Sequence, residues 1–163
     1  MGPPSKTRLF LVDDGPLVRK GLRLLCSVQP DLEVCGEAAG ELEALAGILA
    51  LHPDLAVVDL SLKEGDGLAL IKRLRQQCPT LKILVFSMHD QAPFAAIAFA
   101  LGAHGYVIKE EGSERLLQAI EVVMSGKVYL SDQIAAQAPH LLASISPQGR
   151  ARASNPTMPP YSQ

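Results

Sequence analysis

A chain of 163 residues has room for one compact domain with an appendage, but not for two full-sized domains. Hydrophobic residues make up 48% of it and charged residues 20%, which excludes a collagen-like, low-complexity or wholly disordered protein. The net charge is -2, and the last 18 residues contain two arginines and no acidic residue, so the first 145 residues carry -4. This balance excludes a large basic surface for nucleic acid.

The sequence contains no segment that predicts a membrane span or an export signal. Its longest uninterrupted apolar run, residues 94–101, has eight residues, whereas a helix that crosses a bilayer needs about 20. The N-terminus has a run of only four apolar residues, 9–12, before its first aspartate, and it lacks the hydrophobic region of a signal peptide. A cytoplasmic protein without membrane contact is therefore expected. Cys26, Cys35 and Cys78 lack metal-ligand spacing and are expected to be reduced thiols.

Five short apolar runs typical of β-strands occur in the first 110 residues, and a helical pattern follows each of them. The predicted strands are residues 8–12, 32–37, 54–58, 81–86 and 105–108, and the predicted helices are residues 16–28, 41–51, 67–77, 93–101 and 113–124. Several strands are apolar at every position, as strands covered by helices on both faces must be. The pattern predicts an α/β fold, (βα)5, in which helices doubly wind a five-stranded parallel sheet.

Composition divides the chain into four parts. Residues 7–126 contain the βα repeat. Residues 127–145 predict an extension or linker with one small helix. Residues 146–163 contain four prolines, no acidic residue and no apolar period, so a disordered tail is expected there, and a disordered N-terminus is expected at residues 1–6.

Polar residues follow four of the five predicted strands. They are Asp13 and Asp14 after the first strand, Asp59 after the third, Ser87 after the fourth and Lys109 after the fifth. The carboxyl ends of parallel strands meet at one edge of the sheet, so these side chains are expected to lie together. Singly, each has an ordinary explanation as a helix cap, a turn residue or a solvated charge. Together, three carboxylates on one rim repel each other unless a cation compensates them, and helix capping does not predict a lysine at that rim.

Three carboxylates with an open edge suit Mg²⁺, which keeps several waters and binds one or two carboxylates together with phosphate oxygens. A nearby hydroxyl and an ammonium group complete a set that can hold a phosphoryl group. One carboxylate could attack the phosphorus in line while the other groups neutralise its oxygens. The chain has no glycine-rich phosphate loop, so nucleotide hydrolysis is not indicated.

Four runs of this sequence together resemble the receiver domain of bacterial two-component response regulators. They are residues 11–14, 54–59, 85–90 and 102–109. The resemblance covers about residues 7–126 and implies the flavodoxin-like strand order 2-1-3-4-5. Three shorter runs are similar to the NarL/FixJ class, whose LuxR-type helix-turn-helix regulates transcription. They are residues 16–21, 87–90 and 128–131.

The resemblance implies a signalling switch that phosphorylation controls. Asp59 would be the phosphoacceptor, to which a partner sensor histidine kinase transfers a phosphoryl group. Asp14, Asp59 and the backbone carbonyl of Ser61 would ligate Mg²⁺, while Asp13 would act mainly through a metal-bound water. The chain would then be no enzyme, apart from self-phosphorylation and autodephosphorylation at Asp59.

The resemblance also implies roles for three other residues. Lys109 would pair with the acyl phosphate, and Ser87 would move to hydrogen-bond a phosphate oxygen. Tyr106, three residues before Lys109, would be the aromatic switch that follows Ser87 inward. From the sequence alone, Tyr106 could also be a half-buried aromatic residue of the strand.

Departures from the family pattern leave alternatives open. The loop after Asp59 has a Lys-Glu pair within residues 62–65, where the family usually has a Met-Pro-Gly-like loop. The helix-turn-helix expected near residues 145–148 is missing, so DNA binding is expected only through a domain absent from these 163 residues. One alternative is a pseudo-receiver, a phosphate-independent protein-interaction module. Another is a phosphatase with an aspartyl intermediate, which needs a second carboxylate where Ser61 stands.

The predicted helix 93–101 is apolar around its whole circumference, although a helix on a sheet needs only one apolar stripe. The residues predicted to face inward are Phe94, Ile97, Ala98 and Leu101. Phe99 would then face outward, and the alternative is that it folds back under the neighbouring loop. An exposed Phe99 predicts that this helix and helix 113–124 form a contact surface for a homodimer or a downstream domain.

Overall fold

The computed structural model describes residues 5–145 of the chain. Its strands are β1 (Thr7–Val12), β2 (Leu32–Ala38), β3 (Leu55–Val58), β4 (Lys82–Ser87), β5 (Gly105–Ile108) and β6 (Tyr129–Leu130). Its helices are α1 (Pro16–Ser27), α2 (Glu41–Leu51), α3 (Gly67–Gln77), α4 (Ala92–Leu101), α5 (Ser113–Met124), α6 (Asp132–Gln137) and α7 (Pro139–Ile145), with a 3-10 turn at Lys109–Glu111. All five predicted strands and all five predicted helices of the βα repeat are therefore present, and their ends differ from the prediction by at most one residue.

The six strands form one sheet in the order β2-β1-β3-β4-β5-β6, and every pairing in it is parallel. The predicted doubly wound parallel sheet and its order from β2 to β5 are confirmed. The structure adds a sixth strand to the five that were predicted, because Tyr129 and Leu130 pair with Gly105 and Tyr106 at the edge of the sheet. A strand of two residues is too short to show a period of two in the sequence.

Helices cover both faces of the sheet. On one face α2, α3, α4 and α6 enclose one hydrophobic core, and on the other face α1 and α5 enclose a second. Because successive residues of a strand point to opposite faces, Phe10 belongs to the first core and its neighbours Leu9 and Leu11 belong to the second. Both faces are therefore closed by packing, and the carboxyl ends of the strands remain as the edge where polar side chains gather.

Helix α4 is rotated relative to the prediction. Phe99 is only 5% exposed, whereas Ile97, which was expected to face inward, is 48% exposed. The other three residues expected inside are buried or half-buried. Phe99 shares a core with Ile134, Leu141 and Ile145 of the extension. The prediction of an exposed Phe99 is wrong, because a helix that is apolar all round offers no stripe from which its buried side could be read.

The extension, residues 127–145, is folded onto the βα repeat. Helix α6 buries Ile134 completely, and α7 buries two of its apolar side chains. The hydroxyl oxygen of Ser131, which is also fully buried, accepts a 2.9 Å hydrogen bond from the N–H of Ile108 in β5. The sequence predicted one small helix in this segment. The structure adds strand β6 and a second helix, α7, which begins at Pro139.

The predicted disordered ends fall largely outside the described residues, which exclude 1–4 and 146–163. Ser5 and Lys6 precede β1 without regular secondary structure. Within residues 5–145, none of the helices combines the length and the apolar character that crossing a bilayer requires.

We expect Phe99→Ala to lower the free energy of unfolding by about 3 kcal/mol, because it leaves a cavity between α4 and the extension. Ile97→Ala, on the same helix but largely exposed, should cost no more than about 0.5 kcal/mol. Urea unfolding followed by circular dichroism measures both values. Equal losses in the two variants would contradict the burial of Phe99.

Candidate functional site

The sheet brings together the polar residues that follow its strands. Strands β1 and β3 are neighbours, and the N–H of Asp59 donates a 2.9 Å hydrogen bond to the carbonyl of Val12. Carboxylate oxygens of Asp13, Asp14 and Asp59 consequently all lie within 4.8 Å of one another. Strands β2 and β3 lie on opposite sides of β1 within the sheet, so the strand order reverses at β1. Open α/β sheets place their sites at such a switch point, outside the carboxyl ends of the strands.

Lys109 joins two of these carboxylates. Its Nζ lies 2.7 Å from Oδ2 of Asp13 and 3.1 Å from Oδ2 of Asp59, although 96 and 50 residues separate them in the chain. The remaining oxygens accept backbone hydrogen bonds: Oδ1 of Asp13 accepts from Gly15 N–H at 2.8 Å, and Oδ1 of Asp59 accepts from Ser61 N–H at 3.3 Å. All four oxygens of the two buried carboxylates therefore have a donor.

Burial governs the electrostatics of this cluster. Removal from water raises the pKa of Asp59 above its usual value, and the hydrogen bond and charge of Lys109 oppose that rise. Burial also disfavours the cation of Lys109, but its hydrogen bonds with Asp13 and Asp59 outweigh burial and raise the pKa of Lys109. The lysine is therefore held in its charged form, and it compensates carboxylates that water no longer solvates.

Asp14 differs from the other two carboxylates. It is half-buried, while Asp13 and Asp59 are buried. Among the described residues, its side chain has neither a hydrogen bond nor an ion pair. An available carboxylate beside two others, with an open side, fits the few protein ligands that Mg²⁺ takes. The cluster could therefore hold a metal through Asp14 and Asp59, and the carbonyl of Ser61 stays a predicted ligand.

The loop after β3 is held in place by contacts that the sequence did not reveal. A Cβ on Gly67 would lie 2.3 Å from the carbonyl oxygen of Asp59, so only glycine lets α3 begin this close to the end of the strand. Glu41 at the start of α2 is buried, and its Oε1 accepts the N–H of Asp66 at 2.9 Å. The Asp66 carboxylate in turn accepts the N–H of Leu68 at 2.9 Å and caps α3.

Arg19 supports the acidic loop from α1. Its Nη1 donates a 2.5 Å hydrogen bond to the backbone carbonyl of Asp13, and its Nε lies 3.4 Å from Glu37 in β2. Arg23, one turn later, also pairs with Glu37. The helix is thus tied to the loop that presents the carboxylates.

The loop between β4 and α4, residues 88–91, is organised around His89. The N–H of His89 donates to Oγ of Ser87 at 3.1 Å, and its carbonyl accepts the hydroxyl of Tyr106 at 2.8 Å. Its ring stacks on Phe94, with centroids 4.2 Å apart, and its Nε2 lies 2.7 Å from Oγ of Ser61. His89 therefore connects the hydroxyl predicted to hold phosphate, the predicted switch residue and the loop after Asp59.

Tyr106 is fully buried in this conformation. Burial raises the pKa of Tyr106 to about 12, so its hydroxyl stays protonated and can donate to His89. The sequence predicted that Tyr106 moves inward when the switch is activated. In this structure the side chain already lies inside, so the structure shows only the inward position. Its role as a switch stays a prediction.

All the site residues predicted from the sequence lie at this edge of the sheet. The residues that hold them in place were not predicted. Arg19 and His89 stood in runs that carried the family resemblance, without a role attached to either. The sequence did indicate a tight turn at Gly67, which is the last residue of the Gly-Asp-Gly stretch at 65–67 and the first residue of α3. Glu41 had none, because an acidic residue in the first turn of a helix is ordinary.

Comparison with known proteins agrees with the fold. The sequence matches the response regulator receiver domain family over residues 9–121. Relatives include the DNA-binding transcriptional activator DevR/DosR of Mycobacterium tuberculosis, 36% identical over 129 residues, and the nitrate/nitrite response regulator protein NarL of Escherichia coli K12, 34% identical over 145 residues. These matches cover 79% and 89% of this chain, but only 59% and 66% of the relatives. The chain therefore spans less than two thirds of the length of either relative.

Solved structures give the same result. A two-component response regulator of the LuxR family from Aurantimonas sp. SI85-9A1 has a TM-score of 0.80 at 38% identity, covering 83% of this chain and 97% of that one. The non-phosphorylated receiver domain of RcsB from Escherichia coli has a TM-score of 0.72 at 26% identity, covering 77% of this chain and 98% of that one. The chain belongs to the response regulator receiver domain family, and its relatives include regulators of the NarL and LuxR type.

We expect Lys109→Met to bind Mg²⁺ several-fold more tightly than the parent, because the lysine and the metal compete for the same carboxylates. Without Mg²⁺, this variant should lose about 3 kcal/mol of unfolding free energy, since two buried carboxylates lose their cation. Added Mg²⁺ should restore part of that loss. Calorimetric titration and thermal unfolding with and without Mg²⁺ measure these effects.

Two further variants make the test specific. Asp14→Ala should shift Mg²⁺ affinity in the opposite direction, and Lys72→Met, at an exposed lysine of α3, should change neither quantity. If Asp14→Ala bound Mg²⁺ as well as the parent, the metal would have to bind outside this cluster.

Proposed function

We propose that this receiver domain is a phosphorylation switch in which Asp59 accepts a phosphoryl group from a sensor histidine kinase in a reaction that depends on Mg²⁺. The observation that carries the proposal is the position of Asp59. It lies at the end of a buried strand, beside Asp13 and Asp14, with Lys109 hydrogen-bonded to its carboxylate. A nucleophile, a place for a metal and a fixed cation thus share one edge of the sheet.

The transfer forms one bond and breaks another. A carboxylate oxygen of Asp59 bonds to phosphorus while the bond between phosphorus and the imidazole nitrogen of the kinase breaks. The imidazole leaves with the bonding electrons and takes up a proton, and the product is an acyl phosphate on Asp59. Burial of Asp59 raises its pKa, so the neighbouring cation matters for keeping the nucleophile ionised.

The surrounding residues stabilise the negative charge of the phosphoryl group. When bound, Mg²⁺ would supply positive charge to the phosphoryl oxygens. Lys109, fixed between two carboxylates, can turn toward a phosphate oxygen without leaving the cluster. Ser87 ends β4 with its hydroxyl held by the N–H of His89, and it would exchange this contact for a phosphate oxygen.

The output of the switch is proposed from the relatives. Several of them are named as transcriptional regulators, and one is named as DNA-binding. This chain would accordingly regulate transcription in the cytoplasm, with DNA contacted through a helix-turn-helix outside these residues. It would not be an enzyme in the usual sense, because the chemistry is confined to loading and unloading Asp59.

We expect Asp59→Asn to abolish phosphoryl uptake while leaving the fold intact, because the variant keeps the shape of the side chain and loses the nucleophilic oxygen. Incubation with acetyl phosphate and Mg²⁺, followed by mass spectrometry, measures the uptake. The parent should gain one phosphoryl group that persists.

Asp66→Asn is the matched control, because Asp66 lies in the same loop and asparagine also caps a helix well. This control should be phosphorylated like the parent. Full labelling of the Asp59→Asn variant would refute the assignment. Absence of labelling in the parent would favour the phosphate-independent pseudo-receiver, and rapid turnover of acetyl phosphate would favour a phosphatase.

We also propose that the phosphorylated domain forms a homodimer through α4 and α5, with Ile97 in place of Phe99 as the exposed apolar residue of α4. Strand β6 lies on the edge of the sheet between the two helices, next to β5, and α6 packs against α4. A surface that uses both helices therefore includes part of the extension.

We expect the phosphorylated parent to sediment as a dimer and the phosphorylated Ile97→Arg variant to remain a monomer, because a charge would be buried at the contact. Analytical ultracentrifugation measures this difference. Leu49→Arg, at an exposed leucine of α2 far along the sheet from β5, is the control and should still dimerise. Dimers of Ile97→Arg would place the contact elsewhere.

A further inference from the structure

One side chain of the extension contacts both sides of the turn that leads into α4. The Oε1 of Gln137 accepts a 2.9 Å hydrogen bond from the N–H of Ala92, the first residue of α4. Its Nε2 donates a 2.6 Å hydrogen bond to the carbonyl of Asp90. Gln91, the residue at the N-cap position, makes no capping hydrogen bond of its own. The helix is therefore capped by an amide 45 residues further along the chain.

The helix that carries Gln137 is held firmly against the sheet. Ile134, one turn earlier in α6, is fully buried in the core that contains Phe99 and Tyr106. At the start of the helix, the N–H of Ser131 donates to the carbonyl of Tyr106 at 2.9 Å. Gln137 thus projects from an element that is fixed to the strand beside the site.

The turn that Gln137 holds is the end of the β4–α4 loop, which follows Ser87, the residue proposed to bind a phosphate oxygen. Asp90 follows His89, whose N–H contacts Ser87 and whose carbonyl contacts the hydroxyl of Tyr106. If Ser87 shifts toward a phosphoryl group on Asp59, the backbone of residues 88–90 must absorb the displacement. Otherwise the displacement moves the turn that Gln137 holds. The position of the extension and the state of the site are linked through this short segment.

We propose that Gln137 is a positioning residue that preorganises the β4–α4 loop for phosphoryl binding and thereby couples the phosphoacceptor site to the docking of α6 and α7. This inference rests on the proposed function of Asp59. A loop that is already ordered loses less conformational entropy when it closes on a ligand, so the two hydrogen bonds of Gln137 favour the phosphorylated state. Since coupling between two sites is reciprocal, a ligand at Asp59 must hold α6 and α7 more firmly in return.

The experiment uses beryllofluoride with Mg²⁺ as a phosphoryl mimic on the whole chain. We expect Gln137→Ala to bind the mimic about threefold to tenfold more weakly than the parent, the range expected for one or two hydrogen bonds. In the parent, the mimic should slow amide hydrogen exchange in α6 and α7, and in Gln137→Ala this slowing should disappear. A residue that served stability alone would change basal exchange but would leave the response to the mimic intact.

Gln133→Ala is the matched control, because Gln133 lies in the same short helix and is exposed like Gln137, but only Gln137 makes the hydrogen bonds to Asp90 and Ala92. It should bind the mimic and respond to it like the parent. Equal affinity in Gln137→Ala and the parent, tighter binding by Gln137→Ala, or an undiminished exchange response in that variant would each overturn the proposal.

Failure of the proposed function gives a different result. If the parent itself did not bind the mimic, the phosphoacceptor assignment would fail. The contact made by Gln137 is then tested by amide exchange without any ligand. Faster exchange of the Ala92 N–H in Gln137→Ala, but not in Gln133→Ala, would support its positioning role, and unchanged exchange would refute it.

Discussion

The rest of the site depends on the compensation of charge by Lys109. Two carboxylates are buried at the ends of adjacent strands, and a buried unpaired charge is among the most costly features a fold can contain. The lysine reaches both from the end of β5, and backbone N–H groups bind the oxygens that it leaves free. This arrangement keeps Asp59 buried with both of its carboxylate oxygens hydrogen-bonded. It also leaves Asp14 without a side-chain partner among the described residues, so a metal bound at Asp14 and Asp59 would share Asp59 with Lys109.

Side chains from several elements also fix the backbone of the loops around the buried carboxylates. Arg19 holds the carbonyl of Asp13, Glu41 holds the loop after β3, and His89 links the loop after β4 to Tyr106. Each contact lies one step away from a residue of the site and fixes a segment of backbone. Fixed backbone dipoles and charges stabilise a transferred phosphoryl group without further reorganisation.

The extension makes the site part of a larger unit. By adding a strand to the sheet, covering Phe99 and capping α4, it contacts β5, α4 and the β4–α4 loop. Residues 127–145, predicted as an extension or linker, are therefore packed against elements that surround the carboxylate cluster. The two hydrogen bonds of Gln137 are long-range contacts that join the extension to the turn before α4.

The sequence by itself determined the βα repeat, the parallel sheet and the residues at its carboxyl edge, because apolar strands and the alternation of elements are local patterns. It also placed Asp13, Asp14, Asp59, Ser87 and Lys109 together, since parallel topology fixes where strand ends meet. Only the tertiary structure decided which side of α4 is buried, because that helix is apolar all round and its covering residues lie more than 30 positions away. The short strand β6 and the contacts of Glu41, His89 and Gln137 also depend on distant partners, for which a single sequence has no local signal.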